Sequence, residues 1–100
     1  MKESEKDVER YLVEKIEQVD GLCRKYVSPG VRGVPDRICI MPGGKVLWVE
    51  LKSEGDQPTP HQVREHARMK SRHHRVHLID TKAKVEELIV HNVFMHQRGY

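Results

Sequence analysis

The chain predicts an α/β fold: a mixed sheet with helices on both faces, in the order helix, three strands, helix, strand, helix. Three observations predict it. Apolar residues recur at helical spacing near both ends, and a capping signature opens a further helix between them. Four short runs rich in β-branched and apolar residues read as strands. The breaks between these elements fall at clusters of Gly, Pro and Ser.

Ser4 can cap a first helix whose apolar positions Val8, Leu12, Ile16 and Val19 fall on one face, ending near Gly21. Its other face carries Glu5, Glu9 and Glu14. Leu22 to Val27 reads as the first strand, broken by Ser28-Pro29-Gly30, and Gly33-Val34-Pro35 leads to Asp36. Arg37–Met41 and Lys45–Lys52 flank Pro42-Gly43-Gly44 and read as a hairpin. With Gly43-Gly44 as the turn, Met41 pairs near Val46. After a polar loop from Ser53 to Pro60, Thr59 as N-cap, Pro60 at the first helical position and Gln62 three past the cap open a helix that runs to Lys70 or Ser71. Arg75 to Ile79 is the last strand, parallel to a neighbour because the connection is long enough for a crossover. A closing helix from Lys82 carries Val85, Leu88, Ile89 and Val93 on one stripe.

The hairpin brings unlike charges together. Asp36 should lie beside Glu50 or Leu51, and strand alternation puts Glu50 and Lys52 on one face while Val49 and Leu51 point to the core. The core helices would leave the Glu50 edge open. Two carboxylates held close are unfavourable unless a cation or proton sits between them. Mg²⁺ or Mn²⁺ suits such oxygen ligands. Lys52 is too cationic to be a ligand, but can position a water or neutralise charge on a phosphate. As a bare E-x-K the pattern is common on solvated sheets. The Pro35-Asp36 pair, the hairpin spacing and the apolar run into Glu50 distinguish this one.

The element order and the pattern Pro35-Asp36, thirteen intervening residues, then Glu50-Leu51-Lys52 resemble the PD-(D/E)xK nuclease superfamily. Within it, Gly33-Val34-Pro35-Asp36, the compact hairpin and Gln62 resemble the VRR-Nuc family, and the likeness spans almost the whole chain. The resemblance implies a single VRR-Nuc-type nuclease domain over residues 1–100, with a restriction-endonuclease-like αβββαβ core, a mixed sheet and an extra C-terminal helix. It implies that Asp36, Glu50 and the backbone carbonyl of Leu51 bind Mg²⁺ or Mn²⁺, with Lys52 catalytic. Glu9, or alternatively Glu5 one turn away, would add a first-helix carboxylate. Gln62 would stand at the site edge; from the residues alone, it equally closes a capping box with Thr59. Stand-alone members occur in phages and prophages, resemble Holliday-junction resolvases and act as homodimers, which the resemblance implies for this chain too. The implied reaction is hydrolysis of a DNA phosphodiester, leaving a 5′ phosphate and a 3′ hydroxyl.

Composition fits such a partner without demanding it. The net charge is +3, but acids crowd the first helix whereas Arg64, Arg68, Lys70, Arg72 and Arg75 cluster late. Arg64, Arg68 and Arg72 are candidate DNA contacts, and Arg32 is either a phosphate contact or solvated. Trp48 shares the Glu50 face and either stacks on a base or packs beneath a helix. His73, His74 and His77 lack the register and the thiol or acid that a zinc site needs. Cys23 and Cys39 read as buried free thiols. No signal peptide or membrane-length run is present, which points to a cytosolic chain, and the family resemblance implies the cytoplasm of a bacterial or phage-infected cell, near the nucleoid. Val93-Phe94-Met95 suits either a dimer surface or a terminal helix packed on its own sheet.

The carboxyl-lysine constellation and the family resemblance together imply a metal-dependent endonuclease, and the resemblance implies one selective for branched DNA and working as a homodimer. Two alternatives remain: a nuclease acting on duplex or single-stranded DNA within a replication or repair complex, and a nucleic-acid-binding module that does not cut. A transcription factor is disfavoured, because no recognition helix with a turn signature is evident.

Overall fold

The computed structural model describes residues 2–94, with side chains to residue 93. Helix α1 spans Glu5–Gln18, and Ser4 caps it by accepting the Asp7 N–H. Asp20 turns the chain at a φ of 64°, and Gly21 N–H returns to Ile16 O. Val8, Leu12 and Ile16 are fully buried on the helical spacing of one stripe.

Strand β1 (Leu22–Lys25) is shorter than the predicted run to Val27. Its pairing ends once Tyr26 N–H has reached Asp36 O, just before the Ser28-Pro29-Gly30 break. Strands β2 (Arg37–Ile40) and β3 (Val46–Leu51) form the hairpin. The turn uses three residues rather than two, because Pro42–Gly44 makes a 3₁₀ turn with positive φ at both glycines. Met41 N–H therefore meets Lys45 O, and Ile40 pairs with Val46.

Helix α2 (Pro60–Ser71) crosses from β3 to β4 (Val76–Ile79), which runs parallel to β3. The sheet order is β1-β2-β3-β4, so β3, which carries Glu50, is internal. Helix α3 (Lys82–Ile89) begins at a Thr81 cap and continues into a π-helical turn, Val90–Phe94. Val93 packs against the core; the Phe94 side chain and Met95 lie outside the described residues.

Strand alternation sorts β3 into two faces. Leu47, Val49 and Leu51 enter the core with the α1 stripe and with Val85, Leu88 and Ile89 of α3. Trp48 and Glu50 point to the opposite face, beneath α2. Losing Leu12 or Ile16 to alanine should cost about 2–5 kcal/mol. Cys23 and Cys39 are cross-strand partners, both buried, with sulfurs 3.7 Å apart. The loop after β3 is tied down where Gly55 N–H donates to Asp80, itself paired with Lys84. Among the described residues, no helix is long and apolar enough to cross a membrane.

Candidate active site

Arg37 pairs with Val49, so the ladder's next step sets Asp36 opposite Glu50. Asp36 is fixed from both sides: its carbonyl accepts Tyr26 N–H at 2.9 Å and its Oδ2 accepts Leu51 N–H at 2.8 Å. The loop delivering it rests on the first turn of α2. Gly33 there has a φ of +86°, and a Cβ would lie 2.3 Å from His61 O.

Glu50 is 2% exposed, so α2 covers the carboxyl that the sequence left at an open edge. Gln62 Nε2 donates to its Oε2 at 2.8 Å, and His66 Nε2 stands 3.6 Å from Oε1. Lys52 Nζ lies 3.9 Å from Oε2, a distance at which attraction persists without a hydrogen bond. Burial first, and then the neighbouring Asp36 carboxylate, push the Glu50 carboxyl up to about 8; Lys52 opposes this and loses. Glu50 Oε1 and His66 Nε2 are both buried without a hydrogen-bond partner.

That orphaned oxygen in a strained carboxyl pair is what a hard cation would relieve, so the residues fit Mg²⁺ or Mn²⁺. Among the described residues, no three His, Cys, Asp or Glu side chains form a ready-made metal cluster. The protein's donors would be two carboxylates and a backbone carbonyl.

Gln62 plays both roles that its position allowed. While Nε2 holds Glu50, Oε1 accepts Thr59 N–H at 2.9 Å and Gln62 N–H returns to the Thr59 hydroxyl, closing the capping box. Of the first-helix acids, Glu9 is drawn off to Arg37, 2.9 Å away on the α1 face. Glu5 is the one whose charge reaches Glu50 and helps to raise it. His66 escaped the sequence reading. Its signal was present, four residues after Gln62 and so on the same helical face. Burial, and then the charge of Lys70, lower its proton affinity.

The arginines extend from the site. Arg64 and Arg68 of α2 and its C-cap Arg72 recur every fourth residue and are exposed. Arg32 lies close enough to His61 to lower its proton affinity, with burial and Arg64 adding to the effect. Trp48 N–H donates to His74 Nδ1 at 3.0 Å, whereas His77 sits on the α3 face of β4.

No protein-family model matches the chain. It is 45% identical over 78 residues to "Putative nuclease p44" of Acyrthosiphon pisum secondary endosymbiont phage 1, covering 78% of this chain and 84% of that one. A solved structure described as a VRR_NUC domain matches it with a TM-score of 0.83 and 36% identity, over 90% of this chain and 99% of that chain.

Proposed function

Because this chain belongs to the VRR-Nuc family of nucleases, we propose that its 100 residues work as a single Mg²⁺- or Mn²⁺-dependent DNA endonuclease domain, acting as a homodimer on branched DNA. The meeting of Asp36, Glu50 and Lys52 on one sheet face, under a basic helix, carries this reading. In a two-fold dimer, two such sites would address the symmetric strands of a four-way junction.

Asp36, Glu50 and the Leu51 carbonyl would hold the cation, with Glu5 rather than Glu9 as the first-helix carboxylate, since Arg37 already occupies Glu9. When bound, a hard divalent ion supplies a Lewis acid that activates water and offsets charge developing on the phosphate. Gln62 fixes the Glu50 carboxyl by its hydrogen bond so that it does not reorganise as the phosphate arrives, and His66 stands beside the free oxygen. Lys52 presents its ammonium beside the carboxyl pair, where it orients the attacking water and stabilises the extra negative charge of the transition state. Arg32, Arg64, Arg68 and Arg72 take flanking phosphates and set the strand's register.

The test uses a labelled four-way junction and a matched linear duplex, each with Mg²⁺, Mn²⁺ or EDTA, alongside Lys52→Ala. Paired symmetric nicks with 5′ phosphates are expected in the junction alone. EDTA should abolish them and Lys52→Ala should reduce them by roughly 100-fold or more. Sedimentation should give twice the 11.7 kDa chain mass. Cutting of both substrates would replace junction selectivity with a broader nuclease. Metal-independent binding without cutting would replace the nuclease by a binding module.

A further inference from the structure

Beside the carboxyl pair, on the same sheet face, lies a groove of about 300 Å³ that the proposed chemistry does not use. Its floor is Trp48, two residues before Glu50 on β3 and therefore about 7 Å along the strand. The indole is partly exposed and held from two sides. Tyr26 makes a T-shaped contact with it, ring centroids 4.9 Å apart at 78°, and His74 accepts its N–H. Met69 adds an apolar wall from α2.

The charges around the groove sort the parts of a nucleotide. Arg68 of α2 and its C-cap Arg72 line it and are exposed, where they attract phosphates, whereas the half-buried Glu65 also lines it and disfavours a phosphate inside. A flat, uncharged aromatic group with polar edges satisfies both conditions. We propose that this groove receives an unpaired nucleobase from the strand being cut, stacked against Trp48, with its neighbouring phosphates on Arg68 and Arg72. A base that is paired within a duplex has both faces stacked and its edge occupied, so it does not enter. The substrate class is thereby narrowed to DNA with an unpaired base next to the scissile phosphate, as at a flap, a bulge or a branch point whose flanking pair has opened. This rests on the DNA-nuclease reading above.

Trp48 is the sole tryptophan, so its emission reports the groove directly in the unaltered chain. In EDTA, the protein is titrated with a duplex carrying one unpaired cytosine, the same duplex with an abasic residue there, and a fully paired duplex, with anisotropy following binding. The unpaired cytosine should quench Trp48, and the abasic duplex should bind roughly 5- to 100-fold more weakly without quenching. Trp48→Phe should retain the preference for the unpaired base, and Trp48→Ala, checked for folding by circular dichroism, should lose it. Equal binding and unchanged emission for all three duplexes would overturn the inference. Cutting of paired duplex without any Trp48 response would overturn the groove but keep the nuclease; base-dependent quenching without cutting in Mg²⁺ or Mn²⁺ would keep the groove and overturn the nuclease.

Discussion

Glu50→Gln in the metal-free protein should raise stability, and more so as pH rises. The wild-type carboxyl is buried against Asp36 and its proton affinity climbs from 4.5 to about 8, so across that interval the folded chain holds a proton that the unfolded chain has lost. Stability from this group is complete below about pH 4.5 and is lost as pH rises through about 8. At ~1.4 kcal/mol per pH unit the interval approaches ~4 kcal/mol by pH 8, and water at the partly exposed Asp36 brings the expected effect to about 2–4 kcal/mol. The substituted amide keeps an acceptor for Gln62, turns its donor toward Asp36 and does not titrate. The assay is urea unfolding in EDTA between about pH 6 and 8.5. His66 and His77, whose proton affinities are lowered first by burial, favour the folded state at neutral pH and lose that contribution on acidification; His77 does so equally in both proteins, and His66 faces an uncharged group in both wherever the Glu50 carboxyl holds its proton. Their shared slope cancels in the difference. The wild-type midpoint should drop below that of Glu50→Gln by roughly 1–3 M urea at pH 8, for a slope near ~1.5 kcal/mol/M. Saturating Mg²⁺ should close this gap. Parallel profiles over the whole range would refute the account of the carboxyl pair.

Gln62→Glu preserves the capping-box chemistry but replaces the donor to Glu50 with a third acid; helical circular dichroism should persist while cleavage falls roughly 10- to 100-fold. Gly33→Ala places a Cβ against the His61 backbone at positive φ and should cost about 2–3 kcal/mol, lowering Tm by roughly 10 °C or more. Gly30→Ala, also at positive φ but facing open space, should cost only about 1 kcal/mol in the same melt. Replacing Arg64, Arg68 or Arg72 singly by Gln should each flatten the salt dependence of duplex binding by about 0.9 in log–log slope, if each contacts one phosphate.

Much of this architecture was legible because the local signals agreed with one another. The α1 stripe, the Thr59-Pro60-Gln62 start of α2 and the alternation of β3 each specify an element without help from the rest of the chain. The hairpin register was less certain, since Pro42-Gly43-Gly44 accommodates either a two- or a three-residue turn. The 3₁₀ geometry chosen sets Asp36 opposite Glu50 while its carboxylate reaches Leu51 N–H. Burial of Glu50 was not legible, because it depends on where α2 settles across the sheet. For the same reason His66 was missed. Glu9 and Glu5 occupy the same acidic helix, and what distinguishes their surroundings, Arg37 beside Glu9 and Glu50 within reach of Glu5, lies on other elements.

The two-faced character of β3 also governs how such a chain can diverge. Odd positions from Leu47 to Leu51 fill the core and even positions carry Trp48 and Glu50, so one residue gained or lost in the Pro42–Gly44 turn would exchange those faces if the old pairing were kept. The turn looks like the easiest place to change length and is among the most constrained. Residues 27–32, an exposed stretch apart from Ser28, carry no such constraint. Natural insertions should therefore collect between Val27 and Arg32, ahead of Gly33, where a longer loop leaves the register of the carboxyl pair untouched.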